Sequence, residues 1–94
     1  MKKYQVIGGQ HEQYWYGESD YAYGAKTIAS KHAEYWDNWA GWHTPMVYHS
    51  KDCRVIECHG WVTVADGVKT VVHDKDARPA FAKINEKWVC FDEN

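Results

Sequence analysis

Between residues 61 and 73 the chain reads Trp61-Val-Thr-Val-Ala65, then Asp66-Gly67, then Val68-Lys-Thr-Val-Val-His73. This stretch leaves less conformational choice than any other. β-Branched and aromatic side chains on both sides suit a pleated, half-buried strand, and Asp-Gly tolerates the positive φ that both central positions of a type I′ turn require. The segment therefore predicts a two-residue hairpin of fixed register, with Ala65 opposite Val68, Trp61 opposite Val72 and Gly60 opposite His73. A second hairpin is expected over Pro79 to Ile84 and Lys87 to Phe91, around Asn85-Glu86. Upstream, Tyr4 to Ile7 and Glu12 to Tyr16 read as two strands, or one bent strand, with Gly8-Gly9 as the turn. Met46 to His49 and Arg54 to Glu57 are short strand candidates separated by the polar turn Ser50-Lys51-Asp52.

Only one segment carries helical periodicity. Tyr21, Ala25, Ile28, Ala29, His32, Trp36 and Trp39 fall on one side of a helix of about 21–39, with Lys26, Ser30, Glu34 and Asp37 opposite. Ser19 or Asp20 is placed to cap its start, and Gly41 followed by Pro45 to end it. A length of 94 residues accommodates a single domain, 1–94. The expected fold class is α+β, one helix packed on a mostly antiparallel sheet of hairpins. Such a sheet leaves a face that must be solvated or occupied, and a homodimer through that face is one way to cover it.

Charge excludes some functions. Eleven basic against thirteen acidic residues give a net charge of −2, and Lys and Arg cluster nowhere beyond Lys2-Lys3, so no direct nucleic-acid binding is expected. No apolar run is long enough for a signal peptide or a membrane span, which predicts a cytoplasmic protein. Three cysteines, Cys53, Cys58 and Cys90, are expected as reduced thiols there. The hairpin register makes Cys58 the diagonal, same-face neighbour of His73. A structural zinc held by Cys58 and His73 with Cys53, or with His49 or Cys90, is therefore the alternative to scattered thiols, although C-x4-C matches no familiar zinc motif. No nucleophile, acid and base can be placed together from their spacing, so the chain does not read as an enzyme. His32, within the apolar stripe, reads as a core histidine.

The aromatic residues carry what remains. Trp36 and Trp39 lie on the core stripe, whereas Trp42 and His43 fall beyond the helix. Tyr14 and Tyr16 alternate with Trp15, so one side of that strand turns large rings outward unless both faces are covered. Tyr16, Tyr23, Trp42 and His43 form the expected partner-binding patch, rimmed by Glu12, Glu18, Asp20 and Asp37. Tyrosine and tryptophan are enriched where proteins bind tightly.

The run Gln5-Val-Ile-Gly-Gly-Gln10, the following Tyr14-Trp-Tyr-Gly-Glu-Ser-Asp20, Gly24-Ala-Lys26 and above all Glu34-Tyr-Trp-Asp-Asn-Trp-Ala-Gly-Trp-His-Thr-Pro45 resemble short uncharacterised proteins encoded in phages and conjugative elements of Firmicutes. The likeness covers residues 4 to about 72. It implies a mobile-element setting, in which small cytosolic proteins often block host defence by binding a defence protein, inhibitors of CRISPR nucleases among them. The expected function is accordingly a protein-binding accessory factor, with counter-defence inhibition as its specific form and no cofactor. The alternative is a small domain with a structural zinc.

Overall fold

The computed structural model describes residues 1–9, 13–36, 42–57, 60–73 and 78–91. In chain order they form β1 (Tyr4–Gly9), β2 (Tyr14–Ser19), α1 (Ala22–Trp36), β3 (Trp42–His49), β4 (Gly60–Ala65), β5 (Val68–His73), β6 (Phe81–Ile84) and β7 (Lys87–Cys90). The first five strands make one sheet in the order β2-β1-β3-β4-β5, and β6 and β7 pair separately. Every described pairing is antiparallel, as expected of an α+β fold.

Both hairpins follow their local sequence. β4 and β5 pair with Ala65 opposite Val68 and Gly60 opposite His73, and Asp66 and Gly67 turn with φ of 52° and 77°, the signature of a type I′ turn. Asn85 and Glu86 adopt the same sign, φ 49° and 66°, between Ile84 and Lys87. Other expectations shift. Gly8 and Gly9 do not turn; they complete β1. A Cβ on Gly8 would lie 2.9 Å from the Tyr16 ring and 3.1 Å from the Pro45 Cα, so this glycine lets a ring and a neighbouring backbone close over the strand. Arg54 to Glu57 forms no strand, contributing a single bridge from Val55 to Tyr48. The Asp52 carboxylate accepts the Arg54 N–H at 3.0 Å, an Asx turn that competes with extension.

At β1 and β3 the sheet is covered on both sides by its own chain. On one face Val6 and Val47 are buried with Ala25 of α1, flanked by Tyr4, Tyr16, Ile28 and Ala29. On the other, Ile7, Met46 and Tyr48 are buried with Ala82 of β6, flanked by Cys53, Val55, Phe81 and Phe91. Along β1 and β3 the face opposite the helix is thus occupied by the β6–β7 hairpin, not left for a second copy. Alternation along β1 and β3 assigns successive residues to opposite cores. The expected helical stripe holds for Ala25, Ile28 and Ala29, and fails at Tyr21, which is exposed. Tyr21 precedes the first helical residue, where its carbonyl accepts the Ala25 N–H at 3.1 Å, and it stacks on Tyr23 with centroids 5.4 Å apart. Trp39 and Gly41 lie outside the described residues, as does the side chain of Trp36.

The caps also differ from expectation. Ser19 Oγ accepts the Tyr21 N–H at 3.1 Å, one step before the helix, and Asp20 accepts the Lys3 N–H at 3.2 Å. Both fasten the strand–helix junction instead of the first helical turn.

Tyr48 carries an anomaly. Its hydroxyl is buried and unsatisfied; the Lys83 backbone approaches it without reaching hydrogen-bond geometry, and burial drives the phenol pKa far up. An orphaned buried hydroxyl costs more than the methine it replaces. Tyr48→Phe is expected to raise stability by about 1 kcal/mol, read as a higher urea midpoint with an unchanged slope.

Candidate functional site: an aromatic corner over a buried glutamine

Gln5 sits at zero exposure in the middle of an otherwise apolar sheet. An amide there must be fully bonded, and it is. Its Nε2 donates to Glu18 Oε1 at 2.8 Å, Ser50 Oγ at 3.0 Å and the Lys2 carbonyl at 3.2 Å, while its Oε1 accepts the Trp15 indole N–H at 2.8 Å. Ser50, itself buried, also donates to the Lys2 carbonyl. The Glu18 carboxylate accepts the Lys2 N–H as well, at 3.1 Å. These hydrogen bonds, that from the Gln5 amide foremost, hold the Glu18 carboxyl below the usual carboxylate range, and the charge of Lys83 adds to the effect.

This network orients Trp15, whose ring projects from β2 over the C-terminal hairpin. Trp88 meets it edge to face, centroids 6.1 Å apart at 74°. On its other side Trp88 is met by Phe81, 5.4 Å away at 64°. Lys83, directly opposite Trp88 in the β6–β7 register, places its Nζ 5.7 Å from the indole centroid, within range of a cation–π attraction. Despite these supports Trp15 and Trp88 remain 44% and 48% exposed. They form a braced, half-open corner of two indoles with a cation at its margin.

Of the residues singled out by sequence, Tyr16 and Tyr23 have described side chains. The Tyr16 ring turns toward the helix and stacks on His32, centroids 3.8 Å apart and nearly parallel at 3°. Tyr23 is 72% exposed on the helix surface beside Tyr21. Trp42 and His43 open β3, their side chains outside the described set. Glu18 and Asp20 are acceptors for the N-terminal strand and not a free rim; Glu12 and Asp37 lie outside the described residues. In the sequence Trp15 is marked only by its place between two tyrosines, and Trp88 by nothing that sets it apart. Alternation around Asn85-Glu86 does place Trp88 opposite Lys83, but nothing in the sequence brings that hairpin onto β2.

The metal candidates are likewise apart in role. Cys53 packs against the Met46–Tyr48 core, with φ of 61°; burial, and secondarily Asp52, pushes its thiol pKa up, which favours the thiol over the metal-binding thiolate. His73 is exposed at the end of β5. Cys58 lies outside the described residues. Among the described residues no helix is long and apolar enough to cross a membrane.

Burial, with Lys31 second, lowers the His32 pKa below its ordinary 6.5. The folded state therefore prefers the neutral ring. The stability this contributes is complete above pH 6.5 and is lost as pH falls through the lowered folded value. His32→Phe, which keeps a ring on Tyr16, is expected to abolish the decline in urea midpoint that the parent shows over that window. An unchanged decline in the variant would assign it to other groups.

No family model, curated protein or solved structure matches the chain.

Proposed function

We propose that this protein is a cytoplasmic, non-enzymatic, protein-binding accessory factor of a phage or mobile element, which inhibits a host defence protein through the Trp15–Trp88 corner. The observation that carries this reading is the pair of half-exposed indoles braced from beneath by Gln5 and from the side by Phe81 and Lys83. Rings already held in place lose little conformational entropy on binding, the property that makes tryptophan a recurrent anchor at interfaces. Their 74° inclination offers no parallel slot for a base or sugar ring, but a notch for a projecting side chain. A net charge of −2 supplies no field for a phosphate backbone. Lys83 supplies a charge at the rim that can set the partner's orientation. The resemblance of the Glu34 to Pro45 run to mobile-element proteins supports the counter-defence setting.

The test is co-purification and inhibition with candidate defence complexes, a Cas9 nuclease complex first. Trp88→Ala, at an exposed position on a short hairpin, is expected to weaken a captured complex at least tenfold while keeping cooperative thermal unfolding. Trp42→Ala and Tyr23→Ala, assayed beside it, distinguish the corner from the surface that the sequence suggested. Failure to co-elute with or inhibit any defence complex would remove the proposed role, and full binding by Trp88→Ala would remove the corner.

A further inference from the structure

The two edges of the five-stranded sheet are unlike. At the β2 edge the ladder to β1 is broken by a register shift between Val6 and Ile7, and such irregularities blunt an edge against further pairing. At the other edge β5 runs six residues in unbroken register with β4, without proline, bulge or, among the described residues, any covering element. Val68, Val71 and Val72 are all exposed along it.

The tight turn fixes which backbone groups of β5 are free. In a two-residue hairpin the pair flanking the turn, here Ala65 and Val68, exchanges both hydrogen bonds. Val68, Thr70 and Val72 therefore direct their N–H and C=O groups toward β4. Lys69, Val71 and His73 direct theirs outward, and no described backbone group bonds to them. Water can bond these groups singly, and another extended strand can bond them as a set.

We infer that β5 pairs antiparallel with β5 of a second copy, about a twofold axis through Thr70, joining two sheets into one. The register is self-complementary. It sets Thr70 opposite Thr70 and Val68 opposite Val72 of the second copy, the close, non-hydrogen-bonded positions where β-branched side chains pack best. Lys69 falls opposite Val71, so the two outward-facing pairs within the strands are hydrogen-bonded, His73 reaches past the second copy's turn, and no like charges meet. A twofold interface of this kind closes on itself and leaves no further edge at β5. The interface is independent of the Trp15–Trp88 corner, which lies across the sheet on β2 and β7.

Sedimentation velocity of the full chain from about 10 μM to 1 mM tests the pairing, with two variants. Val71→Pro removes only an outward N–H and leaves the β4–β5 bonds in place. Thr70→Cys puts thiols face to face across the axis at a spacing a disulfide spans, whereas Lys69→Cys does not. The expected result is a mass rising to twice the monomer's with concentration, a fixed monomer for Val71→Pro, and a covalent dimer that forms at least tenfold faster for Thr70→Cys than for Lys69→Cys or the parent. A monomer at every concentration, equal dimerisation of Val71→Pro, or equal cross-linking of the two cysteine variants would each overturn it.

Discussion

Gln5→Ala is expected to destabilise the protein by about 3 kcal/mol, a fall of roughly 15 °C in the melting temperature for a domain of this size. The loss has two parts. Removing a buried side chain leaves a cavity on β1 opposite Tyr48, and it takes the acceptor from the Trp15 indole N–H and one donor from the Ser50 oxygen, which keeps its own bond to the Lys2 carbonyl. A leucine fills the cavity but loses the same bonds, so Gln5→Leu should recover only part of the loss. The effect grows as pH rises through the acid range. Glu18, hydrogen-bonded by the Gln5 amide, has its pKa lowered in the folded state from the ordinary 4.5. Its stabilising contribution is therefore complete above that value and disappears as pH falls through the lowered one. The gap in urea midpoint between parent and Gln5→Ala should accordingly be widest at neutral pH and narrow below pH 4.5. Trp15 should also lose its fixed orientation, visible as a weaker near-ultraviolet circular dichroism signal. A parent-like midpoint would show that the network is replaced by water at no cost.

Ala82→Asp should have a still larger effect, above about 4 kcal/mol. Ala82 lies at zero exposure between the β6–β7 hairpin and the Ile7, Met46 and Tyr48 side chains, with no described cation placed to pair with a carboxylate there. The folded state must either protonate the new group or expel the hairpin. Expulsion uncovers the Ile7, Met46 and Tyr48 side chains of β1 and β3, so the far-ultraviolet spectrum and the Trp88 environment should change together. Ala82→Gly, which loses one methyl group, is the control and should cost about 1 kcal/mol. If Ala82→Asp kept the parent's melting temperature, the hairpin would not be part of the core.

Local structure was legible in the residues because its causes are local. Asp66-Gly67 and Asn85-Glu86 both accept positive φ, and the strands beside them alternate, so turn type and register followed without tertiary information. The helix was legible from its period, as far as the period applies; Tyr21 precedes the first helical turn and escapes it. Periodicity could not tell that β1 and β3 are buried on both sides. Val6 and Ile7 are both fully buried, one under α1 and one under β6, so the polar-to-apolar alternation that marks a half-exposed strand is absent there. The candidate site was legible only as a surplus of aromatic residues. Fifteen of them among 94 residues, seven tyrosine, six tryptophan and two phenylalanine, exceed what one small core can enclose, which marks some for the surface without saying which.

The sequence by itself determined the hairpins, the helix and the presence of more indole and phenol rings than the interior can hold, because backbone preference and side-chain period act over a few residues. Tertiary structure alone decided which rings are covered. Docking of β6–β7 on the face opposite the helix sets Trp88 against Trp15, and burial of Gln5 gives that indole a fixed acceptor. These contacts join residues ten to seventy-three positions apart in the chain. Their energy depends on exclusion of water by the assembled layers, a property no local segment possesses.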